Sequence, residues 1–221
     1  MLKAMRKHAK FFYVLFFIVI LSFIFWGVGT VDKSTAVPVA EIGKEKITLE
    51  EYGRAYDRAV DFYRDIYKEK FNDEMEKKLK LREKVLDSLI DERALMIAAM
   101  SIGMTVSDEE IEEAIMNEPG FTRNGVFDRD IYMRVLQINR ITPEYFENIK
   151  RYELMLLKMK RLIGEAVDLT DDESRYISGD EQIAKAFRQA FLFDKREKAV
   201  KSYVEGIKKQ IKIKVNTHLI S

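Results

Sequence analysis

Residues 86–110 read LDSLIDERALMIAAMSIGMTVSDEE, and this passage decides the fold class. Val85, Leu86, Leu89, Ile90, Ala94, Ile97 and Met100 recur at steps of three and four, which places them on one stripe of a helix. Gly103 follows the last of them, where a chain leaving a helix commonly turns left-handed. Ser107 then stands three residues before Glu110, so that hydroxyl and carboxylate can each accept the other's backbone N–H in a capping box. Ile111, Ala114 and Ile115 continue with helical spacing beyond it. A long helix, a glycine stop and a capped second helix define a helical domain.

The same local chemistry extends outward. The spacing predicts that the long helix begins near Asp73. Before it, Thr48 caps a helix reaching about Lys70, with Glu50 and Glu51 in the first turn and Tyr52, Tyr56, Val60, Tyr63 and Tyr67 on its apolar face. Val37 to Ile42 and Glu45 to Thr48 flank Gly43-Lys44 as a short β-hairpin. Toward the C-terminus, Asn117-Glu118-Pro119-Gly120 ends one helix and Asn124-Gly125 marks a turn. Asp128 caps a helix with Tyr132, Val135 and Leu136 inward. Thr142-Pro143-Glu144 opens another, carrying Phe146, Ile149, Leu154, Leu157 and Met159 to about Ile163. Residues 164–180 hold the weakest signals for regular structure. A final helix from about Glu181 to Gln210 bears Ile183, Phe187, Phe191, Val200, Val204 and Ile207, and Ile211 to Val215 alternates as a strand does. A lone closing strand needs a partner, and the only other strand material is the hairpin at 37–48. The expected fold is mainly α, with a small sheet in which the N-terminal hairpin and the C-terminal strand meet.

Residues 11–29 form an uncharged run, FFYVLFFIVILSFIFWGVG. At about 1.5 Å per residue it covers roughly 28 Å, close to the hydrocarbon thickness of a bilayer. Trp26 occupies an interfacial position. A cleaved signal peptide has a shorter apolar core, though Gly27 and Gly29 supply the small residues that cleavage would use. Lys3, Arg6, Lys7 and Lys10 precede the run without an acid among residues 1–10, which orients the N-terminus to the cytoplasm. The expectation is a cytoplasmic segment at 1–10, an uncleaved single-pass signal anchor at 11–29 in a bacterial inner membrane, a tether at 30–36, and a periplasmic domain over 37–221.

Composition excludes several functions. Four of the 38 basic residues lie in that leader, leaving 34 against 37 acids in the rest of the 221-residue chain, so the body lacks the excess positive charge of a nucleic-acid binder. The absence of cysteine excludes disulfides, thiolate metal sites, a cysteine nucleophile and a lipid-modified cysteine. No Gly-rich phosphate loop is present. The two histidines, His8 and His218, fall in the leader and at an end expected to be flexible, which leaves no catalytic triad or zinc set. The acidic runs at Asp108-Glu109-Glu110 and Asp171-Asp172-Glu173 read as helix starts and solvated turns. No cofactor and no enzymatic activity are expected.

The ordered set of signals resembles the N-terminal domain family shared by the periplasmic chaperones SurA and PpiD, the membrane-anchored PpiD type above all. The basic leader, the span and Phe25-Trp26-Gly27-Val28-Gly29 look like the start of such proteins. Ile42-Gly43-Lys44-Glu45-Lys46-Ile47-Thr48 stands where the family has a strand, tight turn and strand. Residues 86–110, residues 121–136 (FTRNGVFDRDIYMRVL) and Thr142-Pro143-Glu144-Tyr145-Phe146 are similar to its helical signatures. One departure is large: family members commonly insert a parvulin-type prolyl isomerase domain where this chain has only residues 164–180. The resemblance therefore implies a chaperone without the isomerase, acting on unfolded or nascent secreted and outer-membrane polypeptides without ATP. The alternative is a dedicated interaction subunit, a scaffold or adaptor pairing with a separate isomerase or with the secretion translocon.

The residues that carry a binding function on this reading are Met96, Met100, Met104, Phe127, Tyr132, Met155 and Met159. Methionine is unbranched and polarisable, so a Met-lined groove can repack around varied apolar ligands. The competing assignment is that they fill the cores between helices.

Overall fold

A computed structural model of the chain describes residues 37–170, 173 and 181–220. The expected span at 11–29, the segments flanking it and most of 171–180 lie outside these. Among the described residues no helix is long and apolar enough to cross a membrane.

Strand β1 (Ala40–Ile42) is the centre of a three-stranded antiparallel sheet, between β2 (Glu45–Ile47) and β5 (Ile213–Val215). Ala40 lies opposite both Ile47 and Val215, and Ile42 opposite both Glu45 and Ile213. The closing strand thus meets the opening hairpin, as expected, while two other short strands pair with each other. Alternation sets the faces: Ala40 and Ile42 are fully buried, while Glu41 points outward to Lys214, 3.5 Å away. Gly43 makes the turn at φ +60° and donates its N–H to the Lys212 carbonyl at 2.9 Å. The C-terminus is tied in rather than flexible. Asn216 donates to the carbonyls of Val39 and Pro38, Arg82 donates to the Ile220 carbonyl, and the Ile220 side chain is buried.

Helix α1 (Leu49–Tyr67) starts at Thr48, whose hydroxyl accepts the Glu51 N–H at 3.1 Å. The single helix expected from Asp73 to Ser101 is two: α2 (Asp73–Leu79) and α3 (Leu81–Ser101), separated by Lys80 in the left-handed region at φ 51°. The apolar pattern slips phase there. Stepping back from Leu81 by three or four residues reaches exposed Lys78 and Lys77, so a continuous helix could not turn both Leu79 and Leu81 inward. The break is fastened by Glu76, which accepts from the Tyr56 hydroxyl and, at 3.3 Å, from Arg82.

Helix α3 organises the rest. Its first half packs on the sheet and α1 through Leu81, Val85, Leu86 and Ile90. Its second half is buried on nearly every side, and small Ala94, Ala98 and Ala99 let α6 (Pro143–Glu165) and α7 (Glu181–Gln210) close on it. Gly103 ends α3 at φ +73°, with its own N–H bonded to Met100 and that of Met104 to Ala99, the paired bonds of a Schellman cap. The capping box then opens α4 (Asp108–Met116), with Ser107 and Glu110 exchanging bonds of 2.9 and 3.3 Å. Two cations of α6 clamp this turn. Arg151 reaches the Val106 carbonyl and Asp108, and Lys158 reaches the Thr105 carbonyl and Glu110, all at 2.8 Å.

On α6 the core side is Tyr152, Met155, Leu156, Met159 and Ile163. Leu157, expected inward, is 61% exposed, because it lies two residues from Met159 and so on the opposite side of the helix. The expected stripe of α7 also divides. Val204 is buried and Val200 and Ile207 pack beside it, whereas Ile183, Phe187 and Phe191 are exposed. Nine residues separate Phe191 from Val200, about two and a half turns, so the two sets face opposite ways.

Candidate functional site

A pocket of about 450 Å³ opens between α4, α5 (Arg129–Ile138) and the start of α6. It follows from three local features. The capping box fixes α4 so that Ile111 and Ile115 face inward, with Met116 at the rim, 45% exposed. Asn124 and Gly125, both at positive φ, turn the short hairpin of β3 (Thr122–Arg123) and β4 (Val126–Phe127), which delivers Phe127. Asp128 accepts the N–H groups of Asp130 and Ile131 at 2.9 and 3.1 Å, starting α5 and aiming Tyr132 back at the hairpin.

The floor is aromatic. Tyr132 sits 5.0 Å from Phe121 and 5.9 Å from both Phe127 and Phe146, ring centre to ring centre and mostly edge to face. Burial, reinforced by the charge of Glu147, pushes the Tyr132 phenol above its ordinary pKa, so it stays neutral in the physiological range. The rim is charged: Asp108, Glu112 and Glu147 against Arg129. Three carboxylates facing one guanidinium leave the mouth acidic, although Asp108 already holds Arg151. An open apolar floor with an acidic edge has the chemistry to hold an apolar side chain while favouring cations beside it. Among the described residues no group of three or more His, Asp or Glu is placed to hold a metal ion.

Of the residues expected to carry binding, the pocket brings together Phe127, half-buried, and Tyr132, buried. Met96 and Met159 are core residues beside Ala94, Leu95 and Leu156, Met104 packs against that cluster, and Met155 bridges it to the core around Tyr132. Met100 is half exposed at the end of α3. They do not line one groove. Ile111 and Ile115, with the rim charges Glu112, Arg129 and Glu147, were absent from the expectation. Their sequence signal, apolar positions on a capped helix, is the one that core residues give.

The fold is a mainly helical domain with a small closing sheet, and residues 1–160 match the family described as the SurA-like N-terminal domain. The chain belongs to that family. It is also similar to the periplasmic chaperone PpiD of Haemophilus influenzae, 36% identical over 61 residues, a stretch equal to 28% of this chain and 10% of PpiD. The match thus spans about a tenth of that relative's length. Only residues 166–180 stand between α6 and α7, too few for a parvulin domain, which makes this a family member without one at that place.

Proposed function

We propose that the chain is an inner-membrane-anchored periplasmic folding factor that binds unfolded secreted or outer-membrane polypeptides without ATP. On this reading residues 1–10 are cytoplasmic, 11–29 span the membrane, 30–36 are the tether, and the domain over 37–221 faces the periplasm. The carrying observation is the open, apolar-floored pocket between α4, Phe127 and Tyr132 in a domain of the SurA-like family. Met116 at the rim suits clients of varied shape, because its unbranched side chain adapts to what it meets. The acidic edge favours segments in which an apolar side chain neighbours Lys or Arg, and weakens its grip as salt screens it. Anchoring holds the pocket where exported chains emerge and so raises its effective concentration there.

The test places a photo-crosslinking residue at Met116, at Phe127 and, as a core control, at Met159 of the full chain in growing cells. Adducts with many exported proteins from the first two sites and none from the third support the proposal. One sharp adduct from the pocket would replace it with a dedicated partner, and silence at both pocket sites would refute it.

A further inference from the structure

The N-terminal turns of α7 present an apolar face that the domain's own core does not use. Phe187 is 65% exposed and Phe191 45%, with Ile183 also exposed on this face; Phe193, two residues past Phe191, lies on the opposite side of the helix. Helix α6 meets α7 further along, where Gly164 lies against the Arg196 side chain and Lys195 donates to the Asp168 carbonyl at 2.8 Å. The half-turn offset between Phe191 and Val200 points Phe187 and Phe191 away from that seam. Two such side chains, each burying about 150–250 Å² when fully covered, leave together with Ile183 an apolar patch on the order of 300 Å², at the size where exposed patches on a monomer are often functional.

The residue order on this face is symmetric about Phe187. Ala184 and Ala190 lie three residues to either side, Ile183 and Phe191 four. In an antiparallel pair with Phe187 on the two-fold axis, Ile183 of one copy meets Phe191 of the other, Ala184 meets Ala190, and Phe187 meets itself. Between residues 183 and 191, Lys185 then stands opposite Gln189 and Arg188 opposite Ala186, so no like charges confront each other within the stripe. The alanines let two helix axes approach closely. We infer that a second copy of this chain covers the stripe, in an isologous helix–helix contact centred on Phe187. The patch is smaller than the ~800 Å² per partner of a stable complex. The pair is therefore weak in dilute solution and forms where copies are concentrated, as on a membrane.

The chain has no cysteine, which makes single thiols clean reporters. The full chain, reconstituted in lipid vesicles, is oxidised as Phe187→Cys and, for comparison, as Phe62→Cys, a site of similar exposure (61%) on α1. A mixture of Ala184→Cys and Ala190→Cys chains keeps both phenylalanines of the face and reads the same geometry. At least tenfold more covalent dimer from Phe187→Cys than from Phe62→Cys is expected. The mixed alanine pair should cross-link better than either chain alone, and Phe187→Glu with Phe191→Glu in that background should abolish that signal. Dimer yields at the Phe62→Cys level in both designs overturn the inference. So does efficient cross-linking that ignores the glutamates.

Discussion

Ile220→Ala tests whether the returning C-terminal segment holds the fold together. Ile220 is buried among Val39, Ile42 and their neighbours under the sheet, and Arg82 fixes its carbonyl at 3.2 Å. The substitution removes three carbons at about 0.8 kcal/mol each, roughly 2.4 kcal/mol, plus a small cavity cost because the site can partly collapse at the edge of the core. The expected loss is about 2–3 kcal/mol, which for a domain of this size lowers the melting temperature by roughly 5–10 °C. Val215→Ala, at a position 39% exposed on β5, should cost less than about 1 kcal/mol. The assay is thermal unfolding of the purified full chain followed by far-UV circular dichroism. If Ile220→Ala melted within a degree of the parent, the terminal turn would contribute nothing, and the closing of the sheet by β5 alone would have to account for the fold.

Asp128→Ala should cost about 1–2 kcal/mol by removing the cap of α5, read as a lower urea midpoint, while Asp128→Asn should lose little. Glu92 sits in a partly buried setting that raises its pKa, chiefly by desolvation. The folded state therefore holds its proton to higher pH than the unfolded one, and stability falls as pH rises through that window. Glu92→Gln should flatten this slope and raise the melting temperature at pH 7 but not at pH 4. Tyr152 is pushed up to about 12, first by burial. The unfolded phenol ionises first, near 10, so stability should decline between pH 10 and 12, and Tyr152→Phe should make that decline shallower in urea titrations across the range.

The legible parts of the fold were those written in backbone chemistry. A helix must satisfy its first N–H groups, and Thr48, Ser107, Asp128 and Thr142 each do so where the sequence placed them. Gly43, Gly103 and Gly125 stand at positive φ in the turns they were expected to make. The closing strand was legible by elimination. The pocket was less so, because it depends on where a six-residue hairpin sets Phe127 relative to α4, a tertiary fact with no local signature. The methionines illustrate the same limit: Met96 and Met100 share a helix face, yet one is buried and the other half exposed, since position along the axis, and not the face alone, decides burial.

The remaining differences have one cause. The break at Lys80, the exposure of Leu157 and the divided stripe of α7 all arise where apolar residues keep plausible spacing but lose phase. Steps of three and four accumulate to a face only if their sum stays near a whole number of turns. Leu79 to Leu81, Leu157 to Met159 and Phe191 to Val200 each fall about half a turn out. One helix cannot bury both members of such a pair in the same seam. The chain meets this once by breaking the helix, so that Leu81 opens a new helix inside the core while Leu79 ends the old one half-buried. On α6 and α7 it keeps the helix straight and leaves the out-of-phase side chains in solvent. Where a helix stays continuous through a phase slip, then, the out-of-phase residues are surplus to its own core, and they are where a binding surface should be sought.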